Sequence, residues 1–159
     1  MRTTALVLVV CFLGACRSAP TRPAPTQAEQ NAARERYAAA YADALSAADR
    51  YAKVPEAENT DSREVEARLA DLEKELVLFN RVSGSTLRSA ETETRSRHTK
   101  LAFALADAAL AKGALDVADR TYRRLVEFYV GNAYSGIRDR ARMGVDDVRS
   151  RRAAASPAK

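Results

Sequence analysis

Apolar side chains return every third or fourth position in five separate stretches of the chain, and the breaks between them fall at proline, glycine or short polar runs. That period belongs to helices with one buried face. The first stretch predicts a helix from about Gln27 to Lys53, with Tyr37, Tyr41, Leu45, Ala48 and Ala52 on one stripe and Ala44 and Tyr51 beside it. Val54 and Pro55 end it, because a residue before proline is pushed out of the helical region. An acidic loop at 56–62 follows, and Asp61 or Ser62 caps a second helix in which Val65, Leu69, Leu72, Leu76 and Phe79 step 4-3-4-3. This heptad-like seam is open to two readings, a coiled-coil dimer or an antiparallel neighbour within the chain. It is shorter than the three to four heptads a coiled coil asks for, so the internal partner is expected. Ser83-Gly84-Ser85 stops the helix. A third helix begins between Thr86 and Arg95. It is polar to Lys100 and almost wholly apolar from Leu101 to Ala111, which predicts an exposed start and a buried end. Gly113 closes it. A fourth helix runs from about Leu115 to Val130, Gly131-Asn132 turns the chain, and a last helix runs from near Ser135 to Arg149. The expected fold is all-α: antiparallel helical hairpins, either stacked as a short solenoid or gathered into a five-helix bundle. Residues 27–82 form the first hairpin, 86–150 a second helical region and 151–159 a flexible tail.

The beginning of the chain follows a different pattern. Met1 and Arg2 precede nine apolar residues, Ala5 to Leu13, a run of signal-peptide length and too short to span a bilayer. Leu13-Gly14-Ala15-Cys16 then places a branched apolar residue and two small ones ahead of a cysteine. These four residues resemble the lipobox of bacterial lipoproteins. The resemblance implies that 1–15 are a signal peptide and that Cys16 is the lipidated first residue of the mature protein. Residues 16–26, with three prolines, then read as an extended tether. One acyl chain holds a protein at a membrane only marginally, whereas two or more anchor it stably. In that family an aspartate after the cysteine signals inner-membrane retention. Residue 17 is arginine, so the implied location is the outer membrane, facing the periplasm.

Composition narrows the chemistry. The two cysteines are Cys11, inside the implied signal, and Cys16, so no disulfide is expected and packing alone must hold the fold. From Cys16 onward there is one histidine, His98. Ser-His-Asp, Cys-His and histidine-based metal arrangements therefore find no set of partners, and neither catalytic residues nor cofactors are expected. His98 lies on the stripe Leu87, Thr94, His98, Leu101, Leu105 and is expected to be a partly exposed helix-packing side chain. The carboxylate pairs Asp146-Asp147 and Glu91/Glu93 stand among charged neighbours and read as solvated faces. Charge is uneven: residues 27–113 carry net −2 and 114–159 net +4. Arg138, Arg140 and Arg142 stand out as a candidate basic surface for a partner. An exported lipoprotein does not meet nucleic acid, which leaves lipid phosphates, cell-wall carboxylates and acidic protein surfaces. The plainer expectation is that the arginines of 114–159 solvate a terminal helix and pair with Asp139, Asp146 and Asp147.

Leu105, Gly113, Asp116, Ala118 and Tyr122, within Thr99–Val130, fall in the order and spacing of a tetratricopeptide repeat, the helix–turn–helix unit of solenoids, which this stretch resembles. Met143-Gly144 is similar to the Leu-Gly pair of a following unit. The pattern departs at Ala102, Ala106, Ala109 and Val130, where the family carries other residues. The two resemblances together imply a non-enzymatic adaptor of the cell envelope, lipid at one end and a helical docking surface for an envelope protein at the other. The alternative is a structural lipoprotein linking the outer membrane to the cell wall through the arginine-rich C-terminal helices.

Overall fold

A computed structural model describes residues 23–53, 62–83 and 88–155. The elements are α1 (Gln27–Lys53), α2 (Ser62–Ser83), α3 (Arg88–Ala111), α4 (Leu115–Phe128), a single 3-10 turn (Asn132–Tyr134) and α5 (Ser135–Ala155). All the regular structure among the described residues is helical, as the apolar period predicts. Each helix packs chiefly on a chain neighbour, α1 on α2, α3 on α4 and α4 on α5; α3 also touches α1 and α2, and α5 touches α3. Two antiparallel hairpins are therefore laid side by side, with α5 following as a fifth, single helix.

Thr26 starts α1 by a reciprocal cap: its hydroxyl accepts the Glu29 N–H (3.2 Å), and its own N–H donates to the Glu29 carboxylate (2.7 Å). The buried face of α1 is Ala33, Tyr37, Ala44, Ala47 and Tyr51. This corrects the expected stripe, which took in Leu45; that side chain is 44% exposed. The reason is that α1 faces two helices. Arg36–Glu75 (3.3 Å) and Arg50–Glu64 (2.9 Å) fix its α2 side, and the Tyr37 hydroxyl reaches the Thr94 carbonyl of α3 at 2.9 Å. The face between these contacts is mostly alanine, so the backbones can approach closely, and Leu45 is turned away. On α2 the seam Val65, Leu69, Leu72, Leu76 and Phe79 is buried throughout, and α1 fills it within the chain. Of the expected breaks, Val54-Pro55, residues 56–61 of the acidic loop, Gly84 and Ser85 lie outside the described residues, while Ser62 and Ser83 are the two ends of α2.

The α3–α4 connection is a Schellman ending. Gly113 has φ +75°, Ala114 N–H donates to Ala109 C=O (2.9 Å) and Gly113 N–H to Leu110 C=O (3.2 Å). Only glycine takes that φ without cost. Ala102, Ala106 and Ala109 are completely buried, the small side chains letting α3 lie close to its neighbours. The start of α3 is less exposed than its polar text suggests, because Thr94 and His98 point inward. At the far end α5 continues to Ala155, past the expected stop at Arg149 and through residues read as a loose tail. Arg151 donates to the Leu110 carbonyl (3.2 Å) and Arg152 pairs with Asp116 (2.5 Å), so both neighbouring helices hold the added turn in place.

Candidate functional site

Cys16 lies outside the described residues. The three candidate arginines do not form one patch. Successive helical positions turn by 100°, so Arg140 and Arg142 stand on nearly opposite sides of α5. Arg140 reaches back to α3, paired with Asp107 (3.2 Å) and stacked over the Phe103 ring at 4.0 Å. Arg138 donates to the carbonyls of Tyr129 and Gly131 and so caps the open end of α4. Arg142 faces outward and meets Asp139 on its own helix (3.5 Å). Arg149–Asp146 (2.8 Å) and Arg151–Asp147 (3.4 Å) repeat that local pairing, and Glu93 pairs with Arg97, so those acids are exposed partners of arginine.

His98 corrects the sequence reading. It is not partly exposed but fully enclosed, at 0%. Its Nδ1 lies 2.7 Å from the Tyr129 hydroxyl and its Nε2 3.3 Å from a Glu73 carboxylate oxygen, whose other oxygen accepts from Arg124 at 2.5 Å. Glu73 is itself only 7% exposed. In a neutral imidazole this arrangement puts the proton on Nε2, facing the carboxylate that can only accept, and leaves Nδ1 to accept from the Tyr129 hydroxyl. A carboxylate–imidazole–phenol chain thus joins α2, α3 and the end of α4. Phe128 flanks the imidazole at 5.1 Å between ring centres. Tyr129 is 4% and Glu73 7% exposed, and Glu73 lines the groove between α2 and α4, so the chain is enclosed except at its carboxylate end. Each member satisfies the next in a place largely closed to water, and so ties the three elements together. Nothing in the reading of His98 anticipated Glu73 and Tyr129. The available signal was Glu73 itself, an acid set between Leu72 and Leu76 on the buried seam of α2.

Grooves run along both sides of α4. One, about 600 Å3, runs between α2 and α4 over Leu69, Thr121 and Phe128. Arg120–Glu66 (2.8 Å) and Arg124–Glu73 cross it and tie the two hairpins together. Another, about 340 Å3, lies between α4 and α5 and is lined by Val126 and Val145 with Arg123, Glu127, Arg142, Asp146 and Arg149.

Three buried phenols give the fold an alkaline limit. Burial pushes the Tyr37 phenol up to about 12 against the opposing pull of Arg97. Burial also raises Tyr129, and burial with the hydrogen bond to Asp107 raises Tyr122. A phenol whose folded value lies above its unfolded value near 10 holds its proton longer when folded, so its stabilisation is complete below pH 10 and lost as pH rises toward 12. Urea-unfolding free energy is expected to be flat with respect to these groups up to about pH 9 and to fall above 10, by up to about 1.4 kcal/mol per pH unit for each tyrosine. Tyr37→Phe should remove part of that slope; an unchanged slope would show that Tyr37 ionises as freely folded as unfolded.

Among the described residues no helix is long and apolar enough to cross a membrane, and no three His, Cys, Asp or Glu side chains gather as metal ligands. Searches with this chain match no protein-family model, no curated protein and no solved structure.

Proposed function

We propose that the chain is a lipid-anchored envelope lipoprotein of the outer membrane, facing the periplasm, and that its helical body is a non-enzymatic adaptor docking another envelope protein. The observation that carries this reading is Leu13-Gly14-Ala15-Cys16 after a basic start and a nine-residue apolar run. It supplies an anchor, and Pro20, Pro23 and Pro25 supply a spacer between anchor and body. The hairpin arrangement supports the second half: side-by-side helical hairpins leave long grooves between helices, the shape that receives a helix or an extended segment of a partner. Enclosure of the one histidine supports a role in holding rather than in chemistry. The inward engagement of Arg138, Arg140, Arg151 and Arg152 leaves fewer arginines for wall carboxylates, which favours protein docking over a wall link.

The test is in-cell cross-linking of the full chain beside its Cys16→Ala form, with membrane and wall fractions separated. The expected result is membrane sedimentation of the native chain, release of the variant, and one dominant cross-linked protein that weakens with release. Equal membrane sedimentation of both forms would overturn the anchor. Sedimentation with the wall and no protein adduct would overturn the adaptor in favour of the wall link.

A further inference from the structure

Each hairpin packs far more closely within itself than on the other, and α3 meets α1 and α2 over a small area. Three of the five buried residues of α1 are alanine, Ala33, Ala44 and Ala47, and α3 adds Ala102, Ala106 and Ala109. Helices fix their register by interlocking ridges of side chains, and alanine gives the shallowest ridges. Faces of this kind allow close approach but discriminate weakly between positions one helical turn apart.

The contact between Glu73 and His98 does discriminate. A slip of α3 along α2 by one turn, about 5.4 Å, would put Thr94 or Ala102 in the place of His98. Alanine has no polar group, and the short Thr94 hydroxyl already donates to the Glu91 carbonyl at 3.0 Å. Four residues either side of Glu73, α2 carries Leu69 and Val77, which accept nothing. A slipped register would therefore part the carboxylate from the imidazole and strand Nε2 in the core without an acceptor. We propose that the Glu73–His98–Tyr129 chain, with Arg124, is a register-selecting device: it fixes how the second hairpin sits on the first and contributes specificity rather than net stability. Replacing a whole buried ionic set by apolar side chains of similar size is often neutral or stabilising, although removing one member is costly. A set with little net stability that is satisfied in one arrangement acts by separating that arrangement from its competitors. The groove between α2 and α4, over Leu69, Thr121 and Phe128, takes its width from the register so chosen. The proposal goes beyond the adaptor reading and does not depend on it.

The test replaces the whole set at once in the full chain, Glu73→Leu, His98→Leu, Tyr129→Phe and Arg124→Met, and compares it with the native chain by urea unfolding and by NMR in mild detergent. The contact of the Tyr37 ring with Thr94, whose carbonyl accepts the Tyr37 hydroxyl at 2.9 Å, reports the native register from α1. The contact of Tyr122 with Gly144, inside the second helical body, serves as the control. The expected result is a urea midpoint equal to or above the native one, with the signals of α2 and α3 doubled or broadened by exchange between packings. The Tyr37–Thr94 contact should weaken while the Tyr122–Gly144 contact stays single. One sharp set of signals with the Tyr37–Thr94 contact intact would overturn the proposal. A midpoint well below the native one, or a chain that no longer folds, would overturn it too, since the set would then be a source of stability. The second variant is Tyr129→Phe, which keeps the carboxylate–imidazole contact between the hairpins. It is expected to lower the midpoint and leave the α2 and α3 signals single; doubling there, with Glu73 and His98 still in place, would show that their contact does not make the choice.

Discussion

His98→Leu is expected to destabilise the fold by about 3 kcal/mol, because a substitution that removes one member of a buried polar chain leaves its neighbours enclosed and unpaired. Leucine comes close to the imidazole in size, so the loss is not chiefly a cavity. It is the Tyr129 hydroxyl without its acceptor and one Glu73 oxygen without its donor, at sites 4% and 7% exposed. Arg124 still holds the other Glu73 oxygen, which keeps the cost below that of an isolated buried charge. For a chain of this length the melting temperature should fall by roughly 10 °C. Tyr129→Phe alone should cost about 1–2 kcal/mol. In the His98→Leu background it should cost almost nothing, since the hydroxyl has already lost its acceptor. The coupling between the two substitutions, read from urea unfolding of all four forms, should therefore exceed about 1 kcal/mol. Additive losses would mean that the imidazole and phenol do not act as a unit. A neutral His98→Leu would mean that apolar packing alone joins the hairpins at this depth.

The network also shows where sequence reading succeeds and stops. A helix betrays its buried side by the period of its apolar residues, and α2 does so clearly: Val65, Leu69, Leu72, Leu76 and Phe79 are all enclosed. α1 has too many alanines for its pattern to choose among adjacent stripes, and the choice passes to its neighbours. Arg36, Arg50 and Tyr37 settle it from α2 and α3, long-range contacts that no local window contains. The end of α5 is another case. Arg151 and Arg152 read as loose polar tail until the Leu110 carbonyl and Asp116 are seen beside them. Arg138, Arg140 and Arg142 look like a patch because they are close in sequence, yet alternate positions on a helix face nearly opposite ways. Glu73, His98 and Tyr129 are 25 and 31 residues apart in successive pairs, on three elements. Each looks ordinary alone, and only the crossing of the hairpins makes them a chain. Gly113 was legible for the opposite reason, since a glycine just past a helix end speaks to the conformation of its own turn. The proposed anchor is read from sequence alone, and its residues lie outside those described.

Gly144→Ala is expected to destabilise the protein, whereas Gly136→Ala on the same helix is expected to stabilise it. In open helical positions alanine is better than glycine by up to about 1 kcal/mol. Gly136 is such a position, with nothing within 4 Å of an added Cβ. At Gly144 an added Cβ would stand 2.5 Å from Tyr122 Cε1 and 2.6 Å from its Cζ. The ring has little room to withdraw: it is 3% exposed, its hydroxyl donates to Asp107 at 2.5 Å, and Phe103 lies 6.5 Å from it, centre to centre. Overpacking of this kind costs about 1–3 kcal/mol, which outweighs the propensity gain, and the net loss for alanine should be about 1–2 kcal/mol. Gly144→Val, with two further methyls in the same contact and β-branching against it, should lose about 3 kcal/mol. The control is Tyr122→Leu, which removes the obstructing ring atoms at its own cost. In that background Gly144→Ala should become neutral or favourable, so that the pair of substitutions is strongly non-additive. Urea unfolding at constant slope is the measurement. If Gly144→Ala raises stability as Gly136→Ala does, the Tyr122 ring slides aside freely, and α5 is not locked to α4 at this crossing. If it lowers stability and Tyr122→Leu cancels the loss, the ring against bare backbone is what sets how closely the fifth helix lies on the second hairpin, and with it the width of the groove between them.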